Sequence, residues 1–173
     1  ATWRSRGFDA YTPALFPHSA PFAYEQQEQA WRHFSDNVGF DTAAIVSLLA
    51  ELRAKYGTLI LIGYSVGATL AWLAARSGLC DGAVCHYGSR IRQYCDAAPP
   101  CPTQVILARH EPAFDPRDLQ NELEKYPSVT CRMFNAQHGF CDADSPAWDA
   151  RLAQQADEHT LRFLTLIQQR QEA

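Results

Sequence analysis

The sequence predicts an α/β fold: a mainly parallel sheet with helices on both faces. Three observations carry that expectation. Strand-like apolar runs alternate with helical stretches along most of the chain. Leu59–Ile62 is a continuous apolar run of the kind a strand buried on both faces shows. It passes through Gly63-Tyr64-Ser65-Val66-Gly67 directly into the small-residue helical stretch Ala68–Ala75.

The elements follow in order. Phe8–Thr12 reads as a short strand stopped by Pro13, and Pro17 and Pro21 keep the next stretch a loop. Phe22–Ser35 reads as a helix whose Trp31 and Phe34 need a surface to cover. Asp41-Thr42 opens another, with Ala43, Ile45, Val46, Leu49 and Leu52 at helical spacing and an end near Gly57. Thr58–Tyr64 is a strand, and the helix after Ser65 ends by Gly78. Gly82–Tyr87 and Gln104–Ala108 are strands, the second preceded by Pro99, Pro100 and Pro102. Asp115–Lys125 is a helix with Pro116 in its first turn, Val129–Phe134 is a strand, and Ala147–Gln168 is a long amphipathic helix. Repeats, low-complexity tracts and linkers are absent from the sequence.

Composition narrows the function classes. The 173 residues are 47% hydrophobic and 20% charged, ordinary values for one globular domain. A formal charge of −4 and the lack of any basic run argue against a nucleic-acid or anionic-membrane partner, and no apolar stretch is long enough to span a membrane. Six cysteines, at 80, 85, 95, 101, 131 and 141, are too sparse for a disulfide scaffold and lack zinc-site spacing, so no metal is expected. Cys85 and Cys131 read as small core residues, whereas Cys95 and Cys101 flank a Pro-rich turn and would bridge if oxidised. A reducing, cytoplasmic setting is expected.

The chemistry is sought where strand meets helix. A sharp turn there holds a serine in a strained conformation, and glycines two residues away on either side remove side chains that would collide. The helix N-terminus aims free N–H groups beside the serine oxygen, so Val66 N–H is a candidate oxyanion donor. The alternative is a tight turn whose serine only caps the helix. In a parallel sheet the site lies beyond the strand carboxyl ends, which here carry Ser65, His86-Tyr87, Arg109-His110-Glu111 and Gln137-His138-Gly139.

A nucleophilic serine needs a base, and the base an orienting carboxylate. Ser65, then Glu111, then His138 gives the chain order serine, acid, histidine, each after a successive strand. His138 lies in a Gly-flanked loop before the last helix. His110 reads as a surface residue, His86 as a pocket contact or a satisfied core histidine, and His159 as a helix residue. His18 and His33 precede the nucleophile. Glu111 is the first choice of acid and Asp115 the second, the latter also being a standard N-cap before Pro116. Asp142 and Asp144 read as turn residues opening the last helix.

With these residues in view, the chain resembles the dienelactone hydrolase family of the α/β-hydrolases over nearly all its length. "RGFDAYTPALFP" is similar to the family's strand and proline-rich loop, with Ala14 where an aspartate is usual. "GYSVGATLAWLAA" resembles the nucleophile elbow, "AVCHYG" the following strand with its Tyr-Gly end, "QHGF" the catalytic His-Gly-Phe segment, and "WDARLAQQADEHTLRFL" the closing helix.

The resemblance implies an α/β-hydrolase fold and a hydrolase without a cofactor, acting on a small-molecule ester, lactone or thioester. Catalysis falls to Ser65, His138 and Glu111, with Tyr64, His86, Tyr87 and Phe140 around the substrate. Two departures modify that expectation. Founding members use cysteine where Ser65 stands, which points to an esterase-type relative. Members that grip a substrate carboxylate place an arginine four residues after the histidine, where this chain has Asp142, so neutral esters are expected over anionic lactones unless Arg90, Arg92 or Arg109 faces the pocket.

A catalytically decayed binding or assembly protein is the competing expectation. The resemblance also implies a central strand and a second oxyanion donor upstream of Phe8–Thr12. A single domain with a further N-terminal segment, containing at least one strand, is therefore expected in the native protein.

Overall fold

The computed structural model describes residues 3–13 and 40–173. The chain divides into two compact units, Ala1–Phe40 and Asp41–Ala173.

In the first unit, Arg4–Arg6 forms a 3-10 turn closed by Gly7 at φ 88°. Arg4 Nη2 donates to Ala10 O at 2.6 Å, folding the following residues back on the turn. Phe8–Thr12 is not a strand. Phe8 and Ala10 are half-buried while Asp9 and Tyr11 are exposed, which is the alternation the sequence displays. A strand, however, is defined by its place in a ladder, and Phe8–Thr12 joins none of the described strands. The expected helix Phe22–Ser35 lies outside the described residues.

The second unit opens with α1 (Ala43–Arg53), then β1 (Ile60–Tyr64), α2 (Val66–Ala75), β2 (Gly82–His86), a 3-10 segment (Ser89–Gln93), β3 (Thr103–His110), α3 (Pro116–Leu123), β4 (Val129–Gln137) and α4 (Ala150–Glu172). The sheet is parallel throughout, in the order β1-β2-β3-β4. Right-handed crossovers between strands added in sequence order put every connection on one face. Ala71 and Trp72 of α2, Ile91 of the 3-10 segment and Leu119 and Leu123 of α3 accordingly pack together on Cys85, Val105, Leu107 and Val129. The opposite face (Val84, Ile106, Ala108, Phe134, Ala136) is covered by Leu152 and Ala156 of α4. Leu49 and Leu52 of α1 close a third cluster with Leu59, Ala74, Ala75 and Ala83.

Burial on both faces makes β2 and the first six residues of β3 wholly buried, whereas Ile60–Ile62 of β1 are only half-buried. Two of the helix starts have a local cause. Asp115 caps α3 by accepting the Arg117 N–H, with Pro116 in the first turn. Asp149 caps α4 by accepting the Leu152 N–H at 3.0 Å. No helix among the described residues is long and apolar enough to cross a membrane.

All six cysteines are free. The pair that meets is Cys80 and Cys101, buried with their sulfurs 3.8 Å apart, and not Cys95 with Cys101. Cys95 instead turns its thiol to Ile91 O within the 3-10 segment.

The close seating of α2 on β1 depends on one glycine. A Cβ at Gly63 would lie 2.1 Å from Gly67 O and 2.6 Å from Ala68 N, both backbone atoms that cannot move aside. A Cβ at Gly67 would meet no described atom within 4 Å. The expectation of two equally constrained glycines therefore holds only for Gly63. Gly63→Ala is expected to destabilise the fold by about 3 kcal/mol or more, and Gly67→Ala by under about 1 kcal/mol, read from urea midpoints.

His86, at the end of β2, is fully buried, and burial lowers its imidazole from the ordinary 6.5 to about 4. The folded state thus holds it neutral while the unfolded chain takes up a proton between pH 6.5 and 4. Stability from this group is complete above pH 6.5 and is lost as the pH falls towards 4. Urea unfolding at pH 7.5 and 4.5 is expected to differ by about 2–3 kcal/mol more in wild type than in His86→Phe.

Candidate active site

The four strands end together at Tyr64, His86, His110 and Gln137, and the residues that follow form the site. Ser65 follows β1 directly. Its backbone sits at φ 57°, ψ −120°, a conformation that side-chain-bearing residues rarely adopt. Three backbone bonds hold it there: its N–H donates to His86 O at 2.9 Å, and its carbonyl accepts the Ala68 N–H at 3.0 Å and the Thr69 N–H at 3.4 Å. Ser65 occupies the N-cap position of α2 but makes no capping bond with its side chain. Its Oγ lies 2.9 Å from His138 Nε2 instead.

His138 is brought to that point by an irregularity in the β3–β4 ladder. Ala108 pairs with Phe134 but His110 pairs with Gln137, so β4 carries one extra residue over this interval. The insertion makes Glu111 and His138 the next residues beyond the same rung. Without it Glu111 would follow opposite Gln137, because a one-residue slip reverses the side-chain direction. Glu111 Oε1 lies 2.8 Å from His138 Nδ1, with the carboxylate side chain 5% and the imidazole 33% exposed. A carboxylate only accepts, so Nδ1 carries the proton and Nε2 is left to accept from the Ser65 hydroxyl. Tyr87 packs its ring at 4.9 Å from the His138 ring, and its own backbone lies at φ 40°.

Val66 is the first residue of α2, where helix geometry provides no acceptor for the N–H. That N–H and the positive end of the helix lie beside Ser65. Of the two carboxylates weighed for the histidine, Glu111 is the one beside it. Asp115 is occupied instead with the Arg117 N–H and, at 3.6 Å, the Arg117 guanidinium.

The residues expected around a substrate separate into two groups. Tyr64 is 38% exposed, and Tyr87 is nearly buried against His138. His86 and Phe140 are wholly buried, His86 beneath the exposed Tyr64 ring, and neither lies at the surface of the described residues. Phe140 packs between Tyr87 and Phe134, and His86 is a core histidine with polar partners on both ring nitrogens.

His110 and His159 have other partners. His110 is exposed and pairs with Asn135 at 2.6 Å, and His159 lies edge-on to Phe134. His18 and His33 are outside the described residues. Asp142 and Asp144 form a turn in which Asp142 Oδ1 accepts the Asp144 N–H at 2.9 Å. Arg92 is held over the Phe114 ring at 4.8 Å and donates to Ser89 O. No group of three His, Cys, Asp or Glu residues among those described is arranged to hold a metal ion.

Sequence reasoning missed the 3-10 segment Ser89–Gln93, the β4 irregularity and the positive φ of Tyr87. None has a compositional signal: Asn135 and Ala136 do not announce an extra ladder residue, and tyrosine is not a left-handed residue by preference.

Comparison with known proteins agrees with this architecture. The protein YczH of Bacillus subtilis (strain 168), itself described as uncharacterized, is 31% identical over 142 residues, 80% of this chain and 70% of that protein. A carboxymethylenebutenolidase of Pseudomonas putida is 26% identical over 179 aligned positions, covering 94% of this chain and 76% of that enzyme. The crystal structure of a dienelactone hydrolase candidate from Klebsiella pneumoniae subsp. pneumoniae superposes with a TM-score of 0.63 at 14% identity, over 78% of this chain. The chain spans 65% of the length of that structure, and the likeness is one of fold. The sequence profile of the dienelactone hydrolase family matches residues 3–168. A parallel sheet with helices on both faces, a strained serine turn after β1, and a match that runs through both therefore lead to one conclusion: the chain belongs to the dienelactone hydrolase family, a family of hydrolases with the α/β-hydrolase fold.

Proposed function

We propose that this protein hydrolyses a small carboxylic ester, lactone or thioester through an acyl-enzyme on Ser65. The observation that carries the reading is the continuous run of hydrogen bonds from Ser65 Oγ to His138 Nε2 and from His138 Nδ1 to Glu111 Oε1, at 2.9 and 2.8 Å. The two pairs are 73 and 27 positions apart in sequence.

In this mechanism Ser65 Oγ attacks the acyl carbon while His138 Nε2 takes its proton. The imidazolium is held by Glu111, whose nearly buried carboxylate fixes the ring and stabilises its charge. The oxyanion forms beside Val66 N–H and the N-terminus of α2. His138 then passes its proton to the leaving oxygen or sulfur, and the same imidazole activates the water that releases the acid. No cofactor enters these steps. The lactone part of the proposal draws on the Pseudomonas relatives named carboxymethylenebutenolidases. The preference for neutral substrates draws on Asp142, four residues after His138.

Ser65 is expected to label rapidly with a fluorophosphonate at neutral pH, and Ser65→Ala to lose both labelling and ester turnover, by about 10⁴-fold or more. His138→Ala should be comparably inactive and His110→Ala near normal. A folded protein that neither labels nor turns over a panel of neutral esters and lactones would replace this reading with that of a binding or assembly protein.

The two acids are expected to separate cleanly. Glu111→Gln should lower kcat by about 10⁴-fold with little change in thermal midpoint, as removal of an orienting carboxylate does. Asp115→Asn should retain activity, its effect confined to the cap of α3 at under about 1 kcal/mol. The measurements are kcat with p-nitrophenyl acetate and the melting temperature of each variant.

A further inference from the structure

We infer that His86 is a positioning residue that holds the Ser65 turn in its reactive conformation; the inference rests on the reading of Ser65 as nucleophile. This one residue of β2 engages three consecutive residues of the turn in three different ways. Its backbone carbonyl accepts the Ser65 N–H at 2.9 Å. Its imidazole stacks on the Tyr64 ring, with centroids 4.2 Å apart and planes 19° from parallel. Its Nδ1 lies 3.3 Å from the carbonyl oxygen of Gly63.

The far side of the ring is fixed from another element. Nε2 lies 3.4 Å from Thr160 Oγ1 on α4, and that hydroxyl is also 2.9 Å from Ala156 O. A carbonyl cannot donate, so Nδ1 bears the proton and donates to Gly63 O. Nε2 is then an acceptor 3.4 Å from the Thr160 hydroxyl, whose single proton is divided between the ring and the Ala156 carbonyl to which it donates at 2.9 Å. The opposite tautomer would leave Gly63 O facing a bare nitrogen in the interior. A phenyl ring at this place would keep the stack on Tyr64 and the backbone bond to Ser65, but would lose the clamp on Gly63. Gly63 is the residue against which α2 closes most tightly, so the clamp acts at the point where the turn is set.

The turn is braced because it is strained. Ser65 at φ 57° has no local preference for that conformation, and it is held only by what surrounds it. Loosening the Gly63 peptide lets the Ser65 Oγ drift from His138 Nε2 without altering how a substrate is admitted. The effect is therefore expected in kcat and not in KM.

The test uses the intact chain with His86→Phe and His86→Asn, whose side-chain amide nitrogen can take the Nδ1 position. With p-nitrophenyl acetate, His86→Phe is expected to lose about tenfold in kcat with KM within about twofold, as a small misplacement of a reacting group does. His86→Asn should recover most of that loss. Amide exchange at Ser65 should rise by about tenfold or more in His86→Phe while amides of the β3–β4 ladder stay unchanged. Unchanged kcat and unchanged Ser65 exchange in His86→Phe would overturn the inference, as would equal losses in both variants that follow their melting temperatures. A measurement on the wild type needs no variant to fold: ¹⁵N spectra of the His86 imidazole at pH 7 should show the Nδ1–H tautomer, and the Nε2–H tautomer would overturn the clamp. Should the wild type neither label nor hydrolyse, the reading of Ser65 falls, while the exchange and tautomer measurements still decide whether His86 holds the turn.

Discussion

The contact of Gly63 with the first turn of α2 is the constraint on which the rest of the structure depends. Only a residue without a Cβ lets the backbone of Gly67 and Ala68 approach this closely. That approach forces the intervening Ser65 into a positive φ and lifts its side chain off the end of the sheet. The helix that follows is built to accept the closeness. Ala68, Thr69, Leu70, Ala71, Trp72, Ala74 and Ala75 are all buried, and small side chains face most of the contact. Trp72 is the largest of these side chains, and its indole N–H is satisfied by Tyr94 O at 3.0 Å.

A strained turn persists only where neighbouring structure over-determines it. Here the adjacent strand adds its bracing to the bonds that Ala68 and Thr69 make back to the Ser65 carbonyl. β2 is buried along its whole length, so the carbonyl and ring of His86 have fixed positions from which to hold Gly63, Tyr64 and Ser65. The core under the site is thus also its positioning device, and Thr160 extends that device to the C-terminal helix.

Two histidines at the ends of neighbouring strands show how environment divides one chemistry into two roles. His86 is fully buried, with the Gly63 carbonyl and the Thr160 hydroxyl beside its ring nitrogens, and burial keeps it neutral. His138 is one-third exposed and faces a carboxylate, which compensates the charge that a base acquires when it takes a proton. The same side chain is a strut in the first place and suited to proton transfer in the second.

The order of strands and helices, the serine turn with its glycine, and the succession of Ser65, Glu111 and His138 were legible in the sequence, because each rests on local chemistry: apolar runs, a backbone that tolerates no Cβ, and residues placed just after strands. The Phe8–Thr12 strand was misread because alternation describes which side chains are covered and not whether a backbone partner exists. The preference for Glu111 over Asp115 was legible only as an order of choice, since both follow β3, and the structure sets Glu111 on His138 while Asp115 caps α3. The role of His86 was not legible, because its identity reads equally as a pocket residue or a core residue. What it does depends on Gly63, Tyr64, Ser65 and Thr160, which are 21 to 74 residues away in the chain. Local sequence sets which conformations the backbone can take, whereas ladder register and burial, which only the assembled sheet establishes, decide which side chains meet.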